Sequence, residues 1–144
     1  MQIEHSVTIH ADIKTVWDIF TDLTCWREWS TVLGDSSSEH DRLTKGKHFT
    51  FCIRPFAFPV NVEPVVEEVV PGERIIWSGE KYGVKARHEF IFSESKNTVQ
   101  VLSREIFTAR SFKKLLFQLP QKKLHELSIK MLNELKEASE SPGE

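Results

Sequence analysis

The 144-residue chain carries a formal net charge of −2, with 40% hydrophobic and 28% charged residues, the size and balance of one globular domain with a substantial core. Basic residues are scattered, Lys113–Lys114 and Lys122–Lys123 being the only basic pairs, so the electrostatic footprint of a nucleic-acid binder is missing. No apolar run approaches the ~20 residues of a membrane span, and Met1–His10 lacks the charged start and apolar run of a secretory signal; a cytoplasmic monomer without stable membrane insertion is expected.

Ten phenylalanines and four tryptophans stand against a single tyrosine. Such apolar rings suit a packed core and equally a pocket for an apolar ligand. Cys25 and Cys52 are in no metal or redox spacing and read as buried, reduced thiols, so neither a metal nor a cofactor is expected.

Along the chain, Ile3, His5, Val7 and Ile9 alternate with polar residues, the pattern of a half-buried first strand. Asp12 is placed to cap a helix whose Ile13, Val16, Trp17 and Phe20 fall on one face. Thr24 reads as the cap of a second short helix, with Trp26 and Trp29 side by side, packing onto the sheet or flooring a pocket. A polar loop over 34–48, with a short edge strand nearby, precedes the alternating Phe49, Phe51 and Ile53, a strand ended by Pro55. Residues 58–70, rich in valine, read as one long strand with Pro64 at a bulge or edge. Pro71-Gly72 is a turn, Ile75–Trp77 a strand, and Gly79 and Gly83 bracket another turn.

From Val84 the alternation is clean: Val84, Ala86, His88, Phe90 and Phe92 share one face, Lys85, Arg87 and Glu89 the other. A polar turn leads to the last strand, Thr98–Thr108. Beyond Ser111 the period becomes helical: Phe112, Leu115, Leu116 and Leu119 first, then Leu124, Leu127, Met131, Leu135 and Ala138, with a kink or restart at Pro120. A single domain over 1–139 with a frayed tail over 140–144 is expected.

The order of these elements resembles the START-like superfamily, in particular its small bacterial polyketide cyclase/dehydrase-like members. The residues that carry the resemblance are Val16-Trp17-Asp18, Trp26-Arg27-Glu28-Trp29, Gly46, Arg54-Pro55, Pro64-Val65, Pro71-Gly72, Ile75-Ile76-Trp77, His88-Glu89-Phe90, and Arg104-Glu105 with Phe107. The resemblance implies an α+β helix-grip fold, a curved seven-stranded antiparallel sheet wrapped around the long C-terminal helix, with two short helices after the first strand and a deep apolar cavity. It also implies a small hydrophobic ligand such as a lipid, an aromatic or a polyketide. It leaves catalysis open, because fold does not fix function.

One pair of polar residues falls inside the apolar face. If Lys96-Asn97 is a two-residue hairpin turn, residues whose numbers sum to 193 lie opposite each other, and His88 and Glu105 do, as do Phe92 with Val101 and Ala86 with Phe107. A buried carboxylate is costly unless paired, and an imidazole is a suitable partner. Burial lowers the pKa of His88 while Glu105 raises it, so the net sign stays open.

Three roles fit the pair: a structural bridge, a polar anchor for an apolar ligand, or acid–base chemistry for cyclisation or dehydration with His88 and Glu105 as catalytic residues. The ligand-facing set expected for such a cavity is Phe49, Phe51, Trp77, Ala86, His88, Phe90, Val101, Glu105, Phe107, Leu124, Leu127 and Met131. A binding module leads, because the apolar evidence is broad and the catalytic evidence is two residues. A cyclase or dehydratase and a chaperone-type interaction protein, the latter using Phe112, Leu116 and Phe117, are the alternatives.

Overall fold

The structure, a computed structural model, describes residues 1–53, 59–109 and 120–141. Strand β1 (Gln2–Ile9) leads into α1 (Ile13–Thr21), a 3-10 turn (Leu23–Cys25) and the single-turn α2 (Trp26–Trp29). Seven strands follow: β2 (Ser36–Ser37), β3 (Thr50–Ile53), β4 (Val60–Val62), β5 (Val65–Val70), β6 (Arg74–Lys81), β7 (Val84–Ser95) and β8 (Thr98–Ala109). Helix α3 (Gln121–Glu140) closes the described chain.

Strands β1, β8, β7, β6 and β5 form one antiparallel sheet in that order, and β2, β3 and β4 a second. Helix α3 packs against β1, α1 and β8, so this is the α+β helix-grip architecture. Among the described residues the strands number eight, because the valine-rich segment is two strands rather than one. Pro64 has no N–H to give to a ladder, and the chain breaks there. Its carbonyl instead accepts from the Phe49 amide at 3.2 Å, and Val66 exchanges bonds with Gly46 and Lys47. This crossing point, with a bridge between His48 and Val65, joins the two sheets.

Asp12 caps α1 as expected, accepting from the Thr15 amide at 2.7 Å. Thr24 does not cap the helix of Trp26 and Trp29: α2 has Cys25 at its N-cap and no side-chain cap, and it is the preceding 3-10 turn, with Thr24 inside it, that Asp22 caps, its carboxylate accepting from the Thr24 amide. An aspartate at the junction outcompetes a threonine two residues later because it meets the free amides first. Gly79, expected in a turn, lies within β6 opposite Ala86, and a side chain there would meet Pro64 at 3.5 Å. The turn is Tyr82-Gly83 alone, both residues at positive φ.

Phe20 is the hub of the core, with ring neighbours Trp26, Trp29, Trp77, Phe90 and Phe92. Trp26 is fully buried, and its indole N–H donates to the Phe20 carbonyl at 2.8 Å. The buried face of α3 is Leu124, Ser128, Met131, Leu132, Leu135 and Ser139. The expected stripe is thus rotated towards Ser128 and Ser139, leaving Leu127 and Ala138 half-buried. Helix α3 also runs through Glu140, the residue at which fraying was expected to begin. The helical face expected at Phe112, Leu115, Leu116 and Leu119, and Arg54-Pro55, lie outside the described residues.

Candidate functional site

Phe20 of α1 and Trp26 of α2 pack against Trp77 of the sheet, and beside them lies a cavity of about 340 Å³, open on one side. Apolar side chains supply most of the wall: Phe51, Ile53, Val60, Val62, Pro64, Trp77, Val84, Ala86, Phe107 and Leu124. Glu63, Glu80, Lys81 and Tyr82 also line it, the last on the β6–β7 turn, and His88 and Glu105 bring polar atoms to the sheet wall.

Those two residues are brought together by register. The β7–β8 hairpin turns through Lys96-Asn97, with Asn97 at φ 56, a left-handed conformation that asparagine tolerates. His88 consequently pairs with Glu105, Phe92 with Val101 and Ala86 with Phe107. His88 Nδ1 lies 3.5 Å from Glu105 Oε2. Ser103, two residues before Glu105, is the diagonal neighbour of His88 on the same face, and its Oγ lies 2.7 Å from His88 Nε2. Across the gap to the helix, Ser103 Oγ meets Ser128 Oγ at 3.3 Å. A polar chain of carboxyl, imidazole and two hydroxyls therefore runs from the cavity wall into the sheet–helix interface.

The surroundings of this chain are apolar. The His88 ring stacks on Phe90 at 4.1 Å between centroids and meets the edge of Trp77 at 5.5 Å. Burial among these rings penalises charge on either partner. It pushes His88 down to about 3 and Glu105 up to about 7. Desolvation thus outweighs mutual attraction, the sign that the sequence left open, and between about pH 3 and 7 the pair is a neutral imidazole beside a neutral carboxyl.

Serine, histidine and carboxylate in a row have the composition of a nucleophilic triad, but access runs the opposite way. Ser103 is 1% exposed and absent from the cavity wall, whereas Glu105 reaches it. A substrate in the cavity would meet the carboxyl first, so the seryl hydroxyl is a backing group for His88 and not a nucleophile.

Of the ligand-facing residues expected from sequence, Phe51, Trp77, Ala86, His88, Glu105, Phe107 and Leu124 line the cavity. Phe49, Phe90, Val101 and Met131 sit in the packed core, and Leu127 is half-buried on α3 away from the wall. The reason is the position of α1, whose Phe20 packs against Phe90 and Trp77, so that the described part of α3 reaches the cavity only through Leu124, with Pro120 just before the helix. Ser103 and Ser128 escaped the sequence reading. Both stand at inward positions of their periods, two residues from Glu105 and four from Leu124, and a serine at such a position was the available signal.

Among the described residues no cluster of three or more potential metal ligands occurs, and no helix is long and apolar enough to cross a membrane.

The family model described as polyketide cyclase/dehydrase and lipid transport matches residues 1–138. No curated protein matches the chain. Among solved structures, the chain is similar to TTHA0849 from Thermus thermophilus, with a TM-score of 0.79 and 15% identity over 96% of this chain and 97% of that one. Protein jhp0584 from Helicobacter pylori gives 0.74 and 21% identity over 96% and 88% of the two chains. The di-domain ARO/CYC protein BexL, from the BE-7585A biosynthetic pathway, gives 0.75 and 16% identity over 99% of this chain and 51% of that one. At these identities the likenesses establish the shared fold. With a family model matched over nearly its whole length, the chain belongs to the polyketide cyclase/dehydrase and lipid transport family.

Proposed function

We propose that the protein binds a small hydrophobic molecule in the cavity between the sheets and the start of α3, with the polar end of that molecule against Glu105 and His88. The observation that carries this reading is an apolar chamber of about 340 Å³ with a buried polar pair on one wall. That volume falls in the range of small-molecule sites, about 300–1,000 Å³, which combine apolar walls with a few placed polar groups.

Native mass spectrometry of freshly purified protein, followed by denaturing extraction, tests the reading. The expected result is a discrete added mass that leaves on denaturation. An apo mass unchanged across a panel of lipids and aromatic polyketides would overturn it.

A second reading, cyclisation or dehydration by acid–base chemistry, is favoured by one observation: the environment pushes Glu105 up and His88 down. A carboxyl near 7 can donate or accept a proton at neutral pH, as a general acid or base must. Glu105 would touch the substrate, and His88 would orient it. Glu105→Gln should then abolish turnover of a bound polyketide while leaving its affinity within about threefold; equal loss of both would favour the binding role alone.

A further inference from the structure

The β6–β7 hairpin turns through two residues, Tyr82 and Gly83, between the paired Lys81 and Val84. Both have positive φ, 53 for Tyr82 and 78 for Gly83, the left-handed region that such tight turns demand. Glycine meets that demand freely and asparagine with little strain, whereas a bulky side chain is strained there. Among the described residues the other non-glycine position with positive φ is Asn97, in the β7–β8 hairpin. The chain thus places an asparagine in one tight turn and its single tyrosine in the other.

Packing does not account for that choice. Tyr82 is 77% exposed, while the other large apolar side chains described are buried or half-buried. It nevertheless lines the apolar cavity, and a residue that both lines a cavity and faces solvent stands on its rim. Lys81 holds its ammonium over the ring, 5.6 Å from the centroid, and the same ammonium donates to the Asn61 carbonyl of β4. The ring therefore rests at the edge where β4 and β6, one from each sheet, flank the cavity through Val60, Val62 and Gly79. A cation over an exposed ring is a weak hold. An apolar molecule in the mouth offers the ring a drier contact, and the hydroxyl at its far end can stay in water. Rotamer changes of an exposed side chain carry the ring between the two on a timescale of about nanoseconds or less.

A strained residue is a lead to function when the strain serves no packing. Resting on the proposed ligand-binding role, we infer that Tyr82 is a ligand-contacting residue at the mouth of the cavity: its ring leaves the Lys81 ammonium, closes over the bound molecule and slows its escape. The apolar body of the ring makes the contact, and the tight turn fixes where it lands. Tyr82 thereby sets the residence time of the ligand, a task distinct from that of Glu105 and His88 on the inner wall.

Stopped-flow release of N-phenyl-1-naphthylamine, a neutral apolar dye whose emission rises on leaving water, tests this on the intact protein, alongside melting temperatures. Tyr82→Asn removes the ring and relieves the turn. It should raise koff at least about fivefold, with a melting temperature equal to or above that of the parent. Tyr82→Phe keeps the ring body and should leave koff within about twofold of the parent. A tyrosine that served the hairpin alone would give the reverse, a lower melting temperature in Tyr82→Asn with koff unchanged. An unchanged koff in Tyr82→Asn, or release from Tyr82→Phe as fast as from Tyr82→Asn, would overturn the assignment while the cavity reading stands. Ala86→Phe, which fills the cavity behind the mouth, should abolish dye binding. Dye held equally by the parent and Ala86→Phe, or not held by the parent, would take down the cavity reading and the role of Tyr82 with it.

Discussion

Ser103 on β8 and Ser128 on α3 bring their hydroxyls to 3.3 Å across the sheet–helix interface, and Ser103 in turn holds His88 at 2.7 Å. This is a polar tether through an otherwise apolar layer, and it makes His88 part of a network reaching from Glu105 to the helix. Members of such networks are costly to remove singly, because each deletion strands the neighbours.

The first prediction follows from that asymmetry. His88→Leu leaves Ser103 and Glu105 without their shared partner, and should cost on the order of 1–3 kcal/mol in urea unfolding. A buried ion pair would lose more, about 3–5 kcal/mol, but burial holds this pair neutral. Replacing His88, Glu105, Ser103 and Ser128 together by Leu, Leu, Ala and Ala should recover most of the loss, since no member of the network is then left without its partner. A single variant as stable as the parent would show that His88 is not integrated in the network.

The pH dependence of stability offers an independent check. Glu105 is raised from 4.5 to about 7, so the folded state holds one extra proton there between those values, and stability falls as pH rises through that window. His88 is lowered from 6.5 to about 3, so the folded state lacks a proton between 3 and 6.5, and stability rises with pH through that window. The two slopes cancel between pH 4.5 and 6.5. Glu105→Gln removes one of them, and the stability of the variant relative to the parent should climb steadily from pH 4.5 to 7. Parallel curves across that range would contradict the burial of Glu105.

Much of this site was legible in the sequence, for identifiable reasons. A two-residue hairpin and strict alternation fix which residues oppose one another, and this is why His88 against Glu105 and Phe92 against Val101 could be read without coordinates. The division of the concave face was not legible. Whether Phe90, Val101 and Met131 meet ligand or core depends on where α1 lies over the sheet, and nothing local to those residues encodes it. The valine run misled because Pro64 divides it between two sheets, a tertiary outcome that a propensity argument compresses into one bulge. Serine misled differently: at Ser103 and Ser128 it reads as surface, and only its position in the period marks it as buried.

The end of α3 gives a third prediction. Glu140 accepts from the His10 amide at 2.7 Å and pairs with Lys136 at 2.6 Å, while Lys136 also donates to the Thr8 carbonyl at 2.8 Å. Hydrogen bonds from His10 hold the Glu140 carboxyl down at about 2, so this contribution is complete above pH 4.5 and is lost as pH falls towards 2. Truncation after Ser139 should therefore lower stability by about 1 kcal/mol, whereas truncation after Ser141 should leave it unchanged. Equal melting temperatures for the two truncations would show that the Glu140 contacts do not hold the end of α3.

The final prediction separates binding from folding. Ala86 lines the cavity from β7, opposite Gly79 on β6 and Phe107 on β8. Its small side chain leaves open space that a larger ring would occupy. Ala86→Phe adds apolar volume to a void rather than to a packed layer, so the overpacking cost of about 1–3 kcal/mol seen in filled cores should be largely absent. The variant should unfold at a urea concentration equal to or above that of the parent, and it should lose the added mass in native mass spectrometry. Loss of stability by several kcal/mol would mean that the space is already filled by side chains. Retained ligand in a stable variant would place the binding site elsewhere on the molecule.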